Sequence, residues 1–137
     1  MAIVRKADLI DLGSPELLYR TTRRVGFVVE TTGEALVKLK ITKAKYVPFT
    51  SADEGLQALR QSHIDAFVHD AVTAWRVGES QDTIEALFSP LTEEYLAWAV
   101  RKDDEVLHSE LDAIVAQWQQ SGHLQSLFNK WLKFQVQ

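Results

Sequence analysis

Cysteine is absent from this 137-residue sequence, and proline and glycine are scarce, at 3 and 6 residues. Without cysteine the chain has no disulfides, no thiolate zinc site and no cysteine nucleophile. No apolar run approaches the ~20 residues that a membrane-spanning helix needs. Residues 1–8 lack the apolar stretch and small-residue cleavage site of a secretory signal peptide.

Sequence motifs of common enzyme classes are also missing. There is no G-x-S-x-G, no P-loop, no G-x-G-x-x-G and no H-E-x-x-H. We therefore expect no enzyme activity, no cofactor and no metal site.

Three histidines are expected at helix ends or on surfaces (His63, His108, His123), and the tryptophans are expected mostly in the core (Trp75, Trp98, Trp118, Trp131).

The composition that is present is that of an ordinary globular protein of about one domain, with 46% hydrophobic and 25% charged residues. A net charge of −4 argues against a nucleic-acid partner. The charge is uneven, since residues 1–45 hold nine of the 15 basic residues against five acids. Such asymmetry is more typical of a solvated surface than of a binding site.

Alternating strand and helix signals predict an α/β fold. Apolar runs rich in β-branched and aromatic residues predict strands at residues 25–29, 46–49 and 66–68. Because Pro48 cannot donate to a ladder, the second of these strands is expected at a sheet edge, which gives the order two-one-three. Capping patterns predict the helix starts between them (Ser14 with Pro15, Thr31 with Glu34, Ser51 with Glu54).

The C-terminal third is predicted to be helical after a short connector. Residues 95–100 have the pattern of a strand-like connector. Two amphipathic helices then carry apolar stripes over residues 107–118 and 124–132, with Gly122 as the stop between them.

A strand order of two-one-three reverses the winding of the sheet between strands one and three. Ligands in open α/β sheets bind beyond the carboxyl ends of the strands at such a point. At the first end, helix N–H groups with Thr31, Thr32 and Gly33 suit a carboxylate or phosphate, although Thr31 is also a natural helix cap. At the second end, Asp70 suits an ammonium group or caps the next helix, and His69 lines the pocket or packs beneath it.

Four blocks in order, together spanning nearly the whole chain, match one known family: residues 25–34, 64–70, 91–102 and 122–132. In these blocks the sequence resembles the second lobe and C-terminal segment of bacterial extracellular solute-binding proteins of family 3. These are periplasmic polar amino acid binders that serve ABC importers, and residues 64–70 are most similar to glutamine-binding proteins.

The resemblance implies a type II periplasmic binding protein lobe, a flavodoxin-like three-layer α/β/α fold. Its mostly parallel sheet would have the order 2-1-3 plus added strands, and the first lobe would be largely missing. Residues 1–100 would form the ligand-binding lobe. Residues 101–137 would form the helical segment that packs on the first lobe in the family.

The resemblance also implies roles for individual residues. Thr31 and Thr32 would bind the α-carboxylate of an amino acid, Asp70 its α-ammonium group, and His69 would lie beside the ligand. Glu30 departs from the family, which usually has glycine there. A carboxylate at this position repels an anionic group or selects a cationic ligand.

The partners implied are a glutamine-like amino acid and an ABC transporter permease. The wide apolar faces of the last two helices predict a homodimer, by exchange of the C-terminal segment. Two other functions remain open: a sensor or protein-interaction lobe without transport, and a dehydratase on the same scaffold. Glu30 and His69 are the plausible acid–base pair for the dehydratase.

Overall fold

Two compact units make up the chain, Met1–Glu93 and Glu94–Gln137. The computed structural model describes residues 1–79, 83–87, 89–95 and 97–131. The elements of the first unit are, in chain order, β1 (Ala2–Arg5), a 3-10 turn (Lys6–Asp8), α1 (Leu9–Leu12), α2 (Pro15–Arg20), β2 (Arg24–Val28), α3 (Thr32–Lys40), β3 (Lys45–Phe49), α4 (Ala52–Arg60), β4 (Ala66–Val68), α5 (Ala71–Glu79) and β5 (Ile84–Leu87). The second unit contains α6 (Glu105–Gln120) and α7 (His123–Trp131).

The sheet has the strand order β3-β2-β4-β1-β5. β2 pairs in parallel with β3 and β4, whereas β1 pairs antiparallel with β4 and β5. The predicted order two-one-three corresponds to β3-β2-β4 and is confirmed. Only β1 runs against the other described strands, so the expectation of a mostly parallel sheet with added strands is confirmed as well.

Pro48 faces away from the sheet on the edge strand β3. The N–H of Lys45 donates to Arg23 at 2.9 Å, and the carbonyl of Phe49 accepts from Val29 at 3.0 Å. Since alternate residues of a strand point their peptide groups to opposite sides, Pro48 lies on the free side. A proline there removes a donor from an edge that would otherwise invite pairing with another chain.

The strands β1 and β5, which lie beyond β4 in the sheet, are absent from the sequence prediction, which treated Ile3 and Val4 only as a short apolar start. In the structure these residues belong to β1, which lies between β4 and β5 and is fully buried from Ala2 to Val4. A run of four residues is too short to show a period, and its partners are distant in sequence. Its assignment therefore depends on tertiary pairing.

Helices cover both faces of the sheet, so the three-layer α/β/α prediction is confirmed. One face packs against α1, α2 and α3 and the other against α4 and α5. The large buried side chains of the first core are Leu12, Leu18, Val25, Phe27, Val37 and Ile41. The second contains Ile3, Leu56, Leu59, Ile64, Phe67 and Ile84.

The predicted helix caps of this unit are confirmed. Ser14 accepts from the N–H of Leu17 at the start of α2, directly before Pro15. Ser51 accepts from the N–H of Glu54, and the Glu54 carboxylate reaches back to the N–H of Thr50 at 3.2 Å. These bonds satisfy N–H groups that have no partner inside a helix.

Asp65 joins the amino ends of β2 and β4 to the end of β1. Its carboxylate accepts from Arg24 Nε and Nη2, both at 2.9 Å, and from Arg5 Nη2 at 3.0 Å. It also accepts from the backbone N–H of Arg24 at 3.0 Å. Burial alone would raise the pKa of Asp65, but the bonds from Arg24 and Arg5 outweigh burial and lower it to about 2.

The second unit contains a helical hairpin. Asp104 caps α6 by accepting from the N–H of Leu107 at 3.1 Å. α6 ends before Gly122, which has a φ of 74° and supplies the left-handed residue that the sequence predicted there. Trp118 of α6 lies 5.1 Å from the ring of His123, the first residue of α7. Leu132, which the predicted stripe included, lies outside the described residues.

Two expectations for the second unit are wrong. The described residues of the connector, 95 and 97–100, belong to no strand, because no other strand of the described chain pairs with them. Trp98 and Trp131 are not core residues, since they are 61% and 63% exposed. Apolar spacing shows that a helix has an apolar face, but it does not supply a covering surface.

Three histidines lie on the surface as predicted, since His63, His108 and His123 are all exposed. Within the residues that the structure describes, no helix has the length and apolar character needed to cross a membrane.

Candidate functional site

The winding of the sheet reverses between β2 and β4. The helix after β2, α3, packs in the same core as α1 and α2, whereas α4, which follows β3, packs in the opposite core. Phe27 near the end of β2 is paired with Val68 at the end of β4, so the two strands end side by side. The loops that follow them are thus neighbours at one edge of the sheet.

Gly33 makes this proximity direct. A Cβ atom at this position would lie 3.3 Å from the carbonyl oxygen of Val68 and 3.3 Å from Thr31 Oγ1. The start of α3 therefore sits against the end of β4, and the glycine permits the close approach. The structure brings together the two strand ends that the sequence analysis singled out.

Thr31 uses its hydroxyl within the chain. The hydroxyl donates to the carbonyl of Val28 at 2.7 Å and accepts from the N–H of Glu34 at 3.3 Å. Its single proton is therefore already engaged, as expected for a helix cap. The N–H groups of Thr32 and Gly33 have no hydrogen bond to any part of the chain that the structure describes.

Glu30 adopts the left-handed backbone conformation, with a φ of 60°, at the tip of this loop. Its N–H donates to Glu34 Oε2 at 2.7 Å, and Lys38 Nζ donates to Glu34 Oε1 at 2.7 Å. The Lys38 bond, followed by that from Glu30, lowers the pKa of Glu34. The charge of Glu34 is thus balanced by Lys38, whereas the exposed Glu30 carboxylate adds negative charge to the loop.

Asp70 caps α5 and keeps part of its carboxylate in solvent. Oδ1 accepts from the N–H of Thr73 at 2.8 Å, and Oδ2 accepts from the Thr73 hydroxyl at 3.3 Å. Partial burial alone would raise the pKa of Asp70, but the Thr73 bonds and His69 together lower it. The side chain is 56% exposed, so a carboxylate that caps the helix is also accessible from outside.

His69 packs beneath this edge of the sheet. Its ring stacks on Phe67 with a centroid distance of 5.6 Å and an interplanar angle of 25°. Its Nδ1 lies 2.6 Å from Asp70 Oδ2, and the side chain is 17% exposed. The sequence left open whether His69 lines the pocket or packs beneath it; the structure places most of the ring beneath.

The sequence analysis missed one contributor to this edge. Because β1 is antiparallel to β4, its first residue reaches the carboxyl end of β4. Met1 bonds to His69 in both directions, with its terminal nitrogen 2.7 Å from the His69 carbonyl and its own carbonyl 3.1 Å from the His69 N–H. Only recognition of β1 as a strand would have revealed this contact.

Metal ligation has no candidate among the described residues, where no three histidine, aspartate or glutamate side chains cluster in a way that could hold an ion.

Comparisons with known proteins bear on the fold. No protein-family model matches the chain. It is 22% identical over 103 residues to the ABC transporter glutamine-binding protein GlnH of Bacillus subtilis (strain 168), covering 75% of this chain and 38% of GlnH. The resemblance to amino acid binding proteins of ABC importers, predicted from four sequence blocks, is confirmed.

Solved structures show the same fold over nearly the whole chain. An ancestral amino acid-binding protein, described as a precursor of cyclohexadienyl dehydratase, matches with a TM-score of 0.77 and 26% identity. The match covers 95% of this chain and 56% of that protein. A P235GK mutant of ArgBP from T. maritima matches with a TM-score of 0.77 and 26% identity, covering 97% of this chain and 57% of that one.

The fold is therefore one lobe of a type II periplasmic binding protein, as predicted. The chain spans little more than half the length of these solved relatives and 38% of the curated one.

Proposed function

We propose that the Met1–Glu93 unit binds a polar amino acid at the adjacent ends of β2 and β4. The observation that carries this proposal is the close approach of Gly33 to the end of β4, where an added Cβ atom would lie only 3.3 Å from the Val68 carbonyl oxygen. It sets the start of α3, which favours a carboxylate, beside Asp70, which favours an ammonium group. These two charges are those of a zwitterionic amino acid.

The role of each residue follows from which of its groups remain available. The α-carboxylate is bound by the N–H groups of Thr32 and Gly33 and by the Thr32 hydroxyl. Thr31 holds the loop in shape, because its own hydroxyl is engaged with Val28 and Glu34. Asp70 accepts the α-ammonium group on its exposed side, and His69 lies beside it.

The biological setting that fits is ABC-type amino acid import, with the chain acting outside the cytoplasm, in the periplasm, and contacting a transporter permease. The similarity to GlnH, an ABC transporter glutamine-binding protein, supports this setting. A single lobe offers one wall of a cleft, so we expect an affinity well below that of a relative that encloses its ligand. A sensor or protein-interaction lobe without a transport role is the alternative.

Binding is tested by titrating the protein with each of the twenty amino acids and following backbone amide chemical shifts by NMR. We expect shifts at Thr32, Gly33 and Asp70 with L-glutamine or L-arginine, at millimolar concentrations. Asp70→Asn should abolish them, because the amide keeps the cap but loses the charge. Asp53→Asn, an exposed aspartate at the start of α4, is the matched control and should leave them unchanged.

Two results would contradict the proposal. No shift with any amino acid would favour the protein-interaction alternative, and unchanged binding in Asp70→Asn would remove Asp70 from the site.

The charge of Glu30 bears on which amino acid binds. A negative carboxylate two residues before Thr32 disfavours a bound carboxylate and favours a cationic side chain, since opposite charges attract across a few ångströms. We expect Glu30→Gln to weaken binding of L-arginine relative to L-glutamine by about threefold, measured in the same titration. An equal change for both amino acids would show that Glu30 does not discriminate between them.

We propose no catalytic role for the chain. One relative is described as a precursor of cyclohexadienyl dehydratase, which makes the dehydratase alternative worth a direct assay. Elimination needs an acid and a base aligned on the substrate. Incubation with a cyclohexadienyl substrate, followed by ultraviolet absorbance, should show no aromatic product, and product formation that Glu30→Gln or His69→Asn abolishes would establish the enzyme.

Self-association through the Glu94–Gln137 unit is a second proposal. Neither α6 nor α7 has a buried residue in the described chain, and several of their large apolar side chains are exposed (Val106, Leu107, Ile114, Phe128, Trp131). A second copy presents the same surface and can cover it by two-fold symmetry.

Sedimentation velocity at micromolar concentration should then give a dimer mass. Phe128→Glu should shift it to a monomer, and Ile10→Glu, which changes an exposed apolar residue of the first unit, should not. A monomer mass for the unmodified protein would refute the dimer.

A further inference from the structure

His69 is held so that its Nδ1 atom remains against Asp70. The ring stacks on Phe67 at 5.6 Å, and Met1 bonds to both the N–H and the carbonyl of His69. Nδ1 is shielded from solvent and lies 2.6 Å from Asp70 Oδ2, although the contact lacks hydrogen-bond alignment. The imidazole therefore has one polar neighbour on this side, the carboxylate that the proposed function assigns to the ligand.

We propose that His69 couples ligand binding to pH: its protonated imidazolium neutralises Asp70 and so weakens binding of the ligand ammonium group. This inference rests on the proposed function. It adds a regulator to the proposed site. His69 stays in place and competes with the ligand ammonium group for the Asp70 carboxylate.

Charge balance gives the direction of the effect. With neutral His69 the pair carries one negative charge, which attracts an ammonium group, whereas with protonated His69 the pair is neutral. Asp70 stays ionised over this range, because its pKa is lowered from an already acidic value. Histidine is the side chain whose ordinary pKa allows a change of charge between about pH 5 and 8.

Other charged groups around His69 are few and can be held constant. The Met1 terminal nitrogen donates to the His69 carbonyl at 2.7 Å. On the neighbouring start of α3, Glu34 is paired with Lys38. Substitution of His69 alone leaves all of these in place, so any pH dependence that remains in such a variant belongs to them.

The test is an NMR titration with L-arginine and with L-glutamine at about pH 5.5 and about pH 8. We expect the unmodified protein to bind about three- to tenfold more weakly at the lower pH. His69→Asn should bind equally at both pH values, and His63→Asn, at an exposed histidine before β4, should behave as the unmodified protein.

Linkage supplies a second measurement that needs no variant. If protonation of His69 weakens binding, then bound amino acid must weaken protonation of His69 by the same factor. The imidazole proton shifts of His69 in a pH titration with and without L-arginine measure this change directly.

Three outcomes would overturn the inference. Equal affinity at both pH values in the unmodified protein, a His69 titration curve unchanged by bound amino acid, or pH dependence as large in His69→Asn as in the unmodified protein would each show that His69 is not the coupled group. In all three the proposed function survives, since an amino acid still binds. Absence of binding at every pH would instead overturn the proposed function, and the inference with it.

Discussion

Two aspartates flank β4, and they differ in almost every physical respect. Asp65, at the amino end, is 12% exposed in its side chain and receives bonds from two arginines. Asp70, at the carboxyl end, is 56% exposed and is bonded by the neighbouring Thr73, with His69 alongside. The first carboxylate is enclosed by permanent cations, whereas the second retains an accessible side.

Under the proposed function, this contrast separates a stabilising aspartate from a ligand-binding one at the two ends of one short strand. A carboxylate whose acceptors are saturated by Arg5 and Arg24 has no capacity for a ligand. Its removal takes the counter-charge from Arg24 and leaves Arg5 with Asp8, 2.7 Å away. A carboxylate at a helix start, with part of its surface in water, contributes a cap and keeps an acceptor free.

The largest expected effect is loss of the Asp65 interactions. Asp65→Asn should lower the free energy of unfolding by about 3 kcal/mol, because in a partly buried site Arg24 loses its counter-charge and Arg5 keeps only that of Asp8. Urea denaturation measures this loss. Asp53→Asn is the control and should change stability by less than about 0.5 kcal/mol, and a comparable loss in both variants would contradict the contrast.

Acid should remove the same contribution from the unmodified protein. The pKa of Asp65 is about 2 in the folded chain against 3.8 ordinarily. Its ionisation therefore stabilises the fold above about pH 4, and this stabilisation of about 2 kcal/mol is lost as the pH falls through 3.8 towards 2. Urea denaturation from about pH 5 to about pH 2.5 should show the gap between unmodified protein and Asp65→Asn narrowing as the pH falls. A constant gap would show that Asp65 does not titrate in this way.

Asp70 should matter less for stability and more for binding. Asp70→Ala removes the α5 cap and should cost about 1 kcal/mol, whereas Asp70→Asn retains a capping oxygen and should cost less than about 0.5 kcal/mol. Both should abolish amino acid binding. A loss of stability in Asp70→Asn as large as that in Asp65→Asn would mean that the two ends of β4 are equivalent.

The smallest effect concerns two residues with a strained backbone, one just after β2 and one before β4. Glu30, after β2, and Ser62, before β4, both have a φ of 60°. Glycine adopts this conformation without strain, so Glu30→Gly and Ser62→Gly should each raise the free energy of unfolding by about 0.5 kcal/mol. Only Glu30→Gly should also alter ligand preference, and a change of preference in Ser62→Gly would contradict the location of the site.

Much of the first unit was predictable because its signals are local. Pro48 placed β3 at the edge, and the spacing of Thr31 with Glu34 and of Ser51 with Glu54 marked two helix starts that the structure confirms. Once β3 was at the edge, the strand order and the point of reversed winding followed. The adjacency of Thr32–Gly33 and Asp70 therefore came from sequence by way of topology.

Other features were not predictable because they depend on distant partners. β1 is buried between two strands that lie more than sixty residues away, as the pairing of Ile3 with Phe67 and Ala86 shows. The connector after residue 94 has a strand-like sequence but no strand beside it in the described chain. Pairing and coverage, which decide both cases, are properties of the whole fold rather than of a window of residues.

The sequence by itself determined the α/β class, the order of the three parallel strands and the identity of the polar residues beyond their ends. These depend on periodicity, capping and the missing N–H of proline, all of which act within a few residues. Tertiary structure alone decided that Asp65 rather than Asp70 is enclosed by arginines, that Met1 bonds to His69, and that Gly33 lies against the end of β4. Each of these depends on which neighbours the folded chain supplies to a residue, and those neighbours come from separate strands and helices.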